Sequence, residues 1–317
     1  MFLFAGLSLA AALVTVDVPP PGKLVDIGGR KLHINCTGAG SPTVVLESGA
    51  SAFSIDWTFV QPEIAKTNRV CSYDRAGYAW SDPGRPETAQ NVTADLHALL
   101  GAAGERPPYV LVGASMGGVY VRWYQMQHPA EVSGIVYIDA SSEDGLFLGV
   151  AGKPMPIWAV TVEQVRAMYP PGPVPKQPAR QPQTGAPFNK LPPQLLAAHA
   201  EFESQLMNAP LDRDRIVEMM EGQVTAFAAL HARRVSQPHP LGNLPVVVLT
   251  RGVDSRESLR TAHDNLAAES GNARHIVVPD AGHEIHLFRP DIAVQAIQDV
   301  VRAVTSPIHQ LAHSPIR

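Results

Sequence analysis

Residues 109–128 read YVLVGASMGGVYVRWYQMQH: an apolar run of strand length, a serine with Gly113 two before it and Gly117 two after, then a stretch at helical spacing. Glycine is unfavourable inside regular structure, and an unaided serine hydroxyl is a poor nucleophile. Both facts are accommodated if the strand turns sharply into the helix at Ser115. Such a corner strains its central residue, needs small neighbours so that strand and helix can close up, and lifts the hydroxyl above the strand end. It also aims the first N–H groups of the helix at the same space. The plainer alternative is a glycine-rich turn at a helix start. The strand before and the helix after favour a nucleophile.

The same rhythm runs through most of the chain. KLVDIGGRKLHINCTG reads as two strands about a Gly-Gly turn, PTVVLESG and RVCSYDRAG as further strands, and TAQNVTADLHALLGAAG as a helix ending in glycine. VSGIVYIDAS is a strand. LPVVVLTRG, a helix through SLRTAHDNLAAES, ARHIVVPDAGH and a last helix PDIAVQAIQDVVRAVTS follow later. Apolar strands alternating with helices predict a mostly parallel sheet covered on both faces. The rhythm breaks near Glu143. Eleven prolines between Lys153 and Gln194 exclude regular helix or strand over most of that stretch, and two helical segments come after it. The expected organisation is an apolar segment and Pro-rich linker over 1–22, a core over 23–143, an insertion over 144–240, the rest of the core over 241–306 and a tail over 307–317.

The first sixteen residues carry no charge and are short for a membrane span; they fit a signal-peptide core or an anchor, although a basic leading region is missing. Export or membrane attachment through the N-terminus is therefore the expectation, with a docked N-terminal helix as the alternative. A net charge of −4 with no basic run argues against a nucleic-acid partner. The two cysteines, Cys36 and Cys71, lack the spacing of a metal or redox site, and neither a metal nor a cofactor is expected.

With GASMGG as its centre, the chain resembles the α/β-hydrolase family from about Lys23 to Ser306. YDRAGYAWSD at 73–82 looks like the family's segment after its fourth strand, PVVVLTRGVD like its acid-bearing strand and turn, and PDAGHEIHLFRPD like its histidine loop. The resemblance implies an α/β-hydrolase fold in which the insertion is a lid, and hydrolysis by a serine nucleophile with a Ser-His-Asp triad.

The helpers are argued residue by residue. Ser115 needs a base, and the base an orienting acid. Of twelve histidines, His283 follows a strand and a glycine on a loop at the strand's C-terminal end, where sites on open parallel sheets gather. His286, three residues on, is its rival and is expected to begin the next helix in a supporting part. Asp254, after PVVVLTRG, gives the family's chain order Ser, Asp, His. Asp139, at the end of IVYID, is the alternative acid, since some members carry the acid after the preceding core strand. The oxyanion donors implied are the backbone N–H groups of Met116 and Ala50. Where the family often has His-Gly before the second donor, this chain has Ser48-Gly49. Asp74 and Arg75 are expected to organise loops, and Ser81 or Asp82 to cap a short helix.

The activity this implies is cleavage of a small carboxylic ester through an acyl-enzyme. Amide, lactone, thioester or carbon–carbon hydrolysis, and a ligand-binding sensor on the same scaffold, are the alternatives. Relatives that use a carboxylate nucleophile are set apart by Ser115. Cys36 and Cys71 lie on strands that are neighbours in the family's order. Either a disulfide or two buried thiols is compatible with that placement.

Overall fold

The computed structural model describes residues 18–148, 154–172, 180–210 and 212–305. Most of the apolar N-terminal segment and the C-terminal tail thus lie outside the described residues. Among those described, no helix is long and apolar enough to cross a membrane.

The chain opens with strands β1 (Lys23–Asp26), β2 (Lys31–Thr37) and β3 (Thr43–Glu47). A short helix α1 (Gln61–Ile64), β4 (Val70–Tyr73), helix α2 (Ala89–Ala103), β5 (Tyr109–Ala114), helix α3 (Gly117–Gln127) and β6 (Val132–Ile138) follow. The β1–β2 turn has Gly28 and Gly29 at positive φ, and the Asp26 carboxylate accepts both of their N–H groups at 2.8 Å.

Between β6 and the next core strand lies the inserted segment. It contains a two-stranded ribbon, β7 (Leu146–Leu148) with β8 (Pro154–Pro156), then helices α4 (Val162–Met168), α5 (Pro193–Met207) and α6 (Arg213–Ser236). Regular structure within the proline-rich stretch is confined mainly to α4, which occupies its proline-free part and has a capping box at Thr161 and Gln164. The core resumes with β9 (Val246–Arg251), α7 (Glu257–Ala267), β10 (Ala273–Val278), α8 (Ile285–Phe288) and α9 (Pro290–Thr305).

The eight core strands run in the order β1-β2-β4-β3-β5-β6-β9-β10. From β4 to β10 all neighbours are parallel; β2 pairs antiparallel with β1 and with β4. Every residue of β3, β4 and β5 is buried, because helices cover both faces. Val44, Leu46, Val110 and Val112 face α1 and α9 through Ile64, Ile297 and Val300. The alternate positions Val45 and Leu111 face α2 and α3 through Leu96, Leu99, Val121 and Tyr124.

Antiparallel register sets Cys36 of β2 directly opposite Cys71 of β4, with Cα atoms 4.0 Å apart, and the two are joined in a disulfide. The bond ties the antiparallel edge to the parallel centre.

The inserted segment is anchored at two places. Phe227 and Leu230 of α6 pack on Val119, Tyr120 and Trp123 of α3. Arg122 of α3, buried, pairs with both Glu143 and Glu269, while Arg234 of α6 reaches Glu143 at 2.8 Å and Asp144 at 2.7 Å. Helix α5 meets the loops that follow β3 and β4: its Ala198 and Phe202 join Phe53, Ile55 and Tyr78.

Candidate active site

Ser115 sits between β5 and α3 with φ 50°, in the left-handed region that a residue with a Cβ seldom occupies. The glycines around it are required by close approach. A Cβ on Gly113 would lie 2.6 Å from the Gly117 carbonyl oxygen, and one on Gly117 would lie 2.5 Å from that of Glu47. The Ser115 N–H donates to the Ile138 carbonyl at 3.1 Å, which locks the corner to β6.

The His283 loop, between β10 and α8, brings Nε2 to 2.9 Å from Ser115 Oγ. The imidazole's other nitrogen, Nδ1, lies 2.5 Å from Asp139 Oδ2. An ionised carboxylate only accepts, so Nδ1 carries the proton and Nε2 is left to accept from the serine hydroxyl. Burial of Asp139 pushes its pKa up. The His283 hydrogen bond, the Arg251 N–H on Oδ1 at 3.0 Å and the Arg251 guanidinium together outweigh that and hold it below the usual range.

The carboxylate that meets His283 therefore differs from the one expected. Asp254 is exposed on the turn after β9 and makes no hydrogen bond to His283. The reason is strand order. β6 is the immediate neighbour of β5, which carries Ser115, whereas β9 lies one strand further out. Asp139, the alternative, ends β6 with φ 42°, and this turns its side chain across the strand ends. Asp254 also has a positive φ, 54°, on the turn three residues beyond the end of β9.

Around the expected oxyanion site, Arg75 does the organising. Its guanidinium donates to Glu47 at 2.8 Å, to the Ser48 carbonyl at 2.7 Å and to the Gly49 carbonyl at 2.6 Å, and it pairs with Glu87. The Gly49 carbonyl and the Ala50 N–H belong to one trans peptide and point in opposite directions. Fixing the carbonyl on Arg75 turns the N–H away from it. Neither the Ala50 nor the Met116 N–H donates to a protein acceptor among the described residues. Gly49 also sits close: a Cβ there would be 3.0 Å from that of Ser115. Ser48, which stands where the family often has histidine, accepts from Trp57 Nε1 at 2.9 Å and donates to the Phe53 carbonyl, closing the loop.

Of two supporting expectations, the place of His286 at the start of the next helix holds and the helix cap at Ser81 or Asp82 does not. His286 lies in α8, buried, with its ring 4.6 Å from that of Trp57, and burial brings its pKa down to about 4. Ser81 and Asp82 cap no helix. Both clamp the loop after β4 onto β2, by accepting from the backbone N–H groups of His33 and Lys31.

Sequence reasoning singled out neither Glu47 nor Asp56, nor His199 or Glu203 on α5. All four are buried, and the first pairs with Arg75. A charged residue in the middle of an apolar pattern, such as Glu47 in TVVLE, was the available signal.

Two cavities meet at the site. An outer cleft of about 580 Å³ is walled by Met116, Asp139, Ile157, Arg251, Asp254 and His283, among others. A smaller one reaches Ser115 itself. Among the described residues, the group best able to ligate a metal, His97 with His128 and Glu131, lies at the far end of α3 from Ser115.

A family sequence pattern described as alpha/beta hydrolase fold matches residues 42–290. The chain is 23% identical over 299 residues to the uncharacterized protein YqjL of Bacillus subtilis, covering 91% of this chain and 96% of that one. Several other curated relatives are matched over only 18% to 37% of their own length. Among solved structures, it is similar to a thermophilic esterase from Thermogutta terrifontis (TM-score 0.60, 20% identity, 87% of this chain and 95% of that one). It is also similar to an enol-lactonase from Burkholderia xenovorans LB400 (TM-score 0.61, 17% identity, 88% and 99%).

Proposed function

The chain belongs to the alpha/beta hydrolase family, and from that premise we propose that it is a serine hydrolase that cleaves small carboxylic esters through an acyl-enzyme. The observation that carries the reading is the continuous chain Ser115 Oγ–His283–Asp139, with the Ala50 and Met116 N–H groups nearby and without an acceptor among the described residues. His283 Nε2 takes the Ser115 proton as Oγ attacks the ester carbonyl. Asp139 steadies the resulting imidazolium, and the Ala50 and Met116 N–H groups receive the charge that develops on the carbonyl oxygen. The imidazolium then gives its proton to the departing alcohol. Water, activated by the same histidine, releases the acid. A lactone would pass through the same steps with the ring opened. No step calls for a cofactor.

The inserted segment, whose Ile157 and Phe227 line the outer cleft, acts in this reading as a lid that selects the ester. Export fits the Cys36–Cys71 bond, since disulfides persist in oxidising compartments.

The test combines a fluorophosphonate probe with a series of p-nitrophenyl esters. Wild type should label and turn over. Ser115→Ala should not label and should lose roughly 10⁴ to 10⁶ in turnover. A folded Ser115→Ala protein that keeps half the wild-type rate would remove the assignment.

A further inference from the structure

The smaller cavity, of about 50 Å³, has Ser115, Ala50 and His283 in its wall, joined by four buried polar side chains, Asp56, His199, Glu203 and His286. Asp56 comes from the loop after β3; His199 and Glu203 stand one turn apart on α5. All three side chains are 1% exposed. Asp56 is fully engaged: Oδ1 accepts from His199 Nδ1 at 2.8 Å and Oδ2 from the Phe53 N–H at 2.8 Å. Glu203 is held by Gln183, whose N–H donates at 2.5 Å and whose side-chain amide donates at 3.3 Å. Phe188 stacks on the His199 ring at 4.4 Å and fixes its plane.

Two groups in this wall are left over. His199 Nε2 is buried and has no hydrogen-bond partner among the described residues. The nearest carboxylate oxygen, Glu203 Oε2, is 3.7 Å away, beyond hydrogen-bond range. Burial lowers the basicity of His199, but the hydrogen bond and charge of Asp56, together with the charges of Glu203 and Glu284, outweigh it and raise the pKa. The ring stands between two carboxylates, Asp56 at 2.8 Å from Nδ1 and Glu203 at 3.7 Å from Nε2, which favour its protonated form; that form presents Nε2–H as a donor, and Glu203 offers free lone pairs beside it. In the same wall His286 Nδ1 is also buried without a partner.

The chemistry of the missing partner follows. A carbonyl oxygen would satisfy Nε2–H and make no use of the lone pairs that Glu203 has left beyond its bonds to Gln183. An ammonium would serve Glu203 and leave Nε2–H orphaned. A hydroxyl does both, because its oxygen accepts while its proton is donated. The space suits a few non-hydrogen atoms. The group that stays bonded to Ser115 in an acyl-enzyme is the acyl group, and this is the cavity walled by Ser115.

We propose that the small cavity is the acyl subsite and takes a short acyl group bearing a hydroxyl, which accepts from His199 Nε2–H and donates to the Glu203 carboxylate. This rests on the ester hydrolysis proposed for Ser115. His199 and Glu203 are then specificity-determining residues supplied by the inserted segment.

The experiment compares kcat/KM for two pairs of p-nitrophenyl esters, 3-hydroxybutanoate against butanoate and 2-hydroxypropanoate against propanoate, each corrected for spontaneous hydrolysis. In wild type at least one hydroxylated ester should exceed its parent by about 10-fold or more, as a hydrogen bond to a charged group implies. In His199→Leu and Glu203→Gln, checked for folding by circular dichroism, that ratio should fall to within about 3-fold of unity. Protection of wild-type Ser115 from the fluorophosphonate, stronger with free 3-hydroxybutanoate than with butanoate, is the expected result that needs no variant. Turnover of the parent esters with no preference for either hydroxylated one overturns the subsite alone. So does a preference that survives in the folded variants. Absence of both labelling and turnover overturns the ester hydrolysis, and the subsite with it.

Discussion

Replacing Asp139 by asparagine tests which carboxylate serves His283, because the two hydrogen bonds of Asp139 make conflicting demands on an amide. Oδ2 accepts from His283 Nδ1 and Oδ1 accepts from the Arg251 N–H. Asparagine has one oxygen. The Arg251 N–H is a fixed backbone donor, so the oxygen is drawn there and the NH₂ is left facing His283. Nδ1 must then accept, which moves the imidazole proton to Nε2, where it opposes Ser115 Oγ instead of receiving its proton. Turning the amide over restores His283 but abandons a buried N–H, at a cost of about 1–3 kcal/mol. The wrong tautomer, together with the lost stabilisation of the imidazolium, amounts to about 10⁴ in kcat in a triad of this geometry. That is about 5.4 kcal/mol of barrier. Asp254→Asn, at an exposed position with no contact to His283, should stay within about 3-fold of wild type, as surface substitutions usually do. The assay is p-nitrophenyl butanoate hydrolysis at pH 8, with circular dichroism to confirm folding. An Asp139→Asn enzyme within 10-fold of wild type, or a larger loss at Asp254, would refute the reasoning.

Two further expectations concern stability. Cys36→Ser with Cys71→Ser should lower the urea unfolding free energy by about 2–4 kcal/mol, because the bond restricts the unfolded chain; an unchanged midpoint would dismiss it. His286 has its pKa depressed to about 4 against about 6.5 unfolded. Its contribution is therefore present above pH 6.5 and lost as the pH falls through 4, about 3 kcal/mol at most. His286→Phe keeps a ring on Trp57 and removes the titration, so its stability should fall less than that of wild type between pH 7 and pH 4 in urea melts. Equal slopes would count against burial as the cause.

Some of the site was readable because its signal is local. Ser115 could be placed because a sharp corner needs Gly113 and Gly117 in sequence beside it: a Cβ at either would come within 2.5–2.6 Å of a carbonyl oxygen. His283 was readable as a histidine on a loop that follows a strand and a glycine. Asp139 and Asp254 were not separable in this way, since each follows an apolar strand and each bends at positive φ.

Taken alone, the sequence determined the strand–helix alternation, the parallel sheet, the strained corner and the histidine loop, because each depends on residues within one turn or one strand of one another. Tertiary structure alone decided the rest. Strand order β5-β6-β9 chose Asp139 as the partner of His283. Register across β2 and β4 made Cys36 and Cys71 a disulfide. The docking of α5 on the loops after β3 and β4 carried His199, 143 residues beyond Asp56, to within 2.8 Å of it. Hydrogen bonds and charges act over a few ångströms of space, and a linear pattern cannot say which distant segments the packing of the core will bring that close.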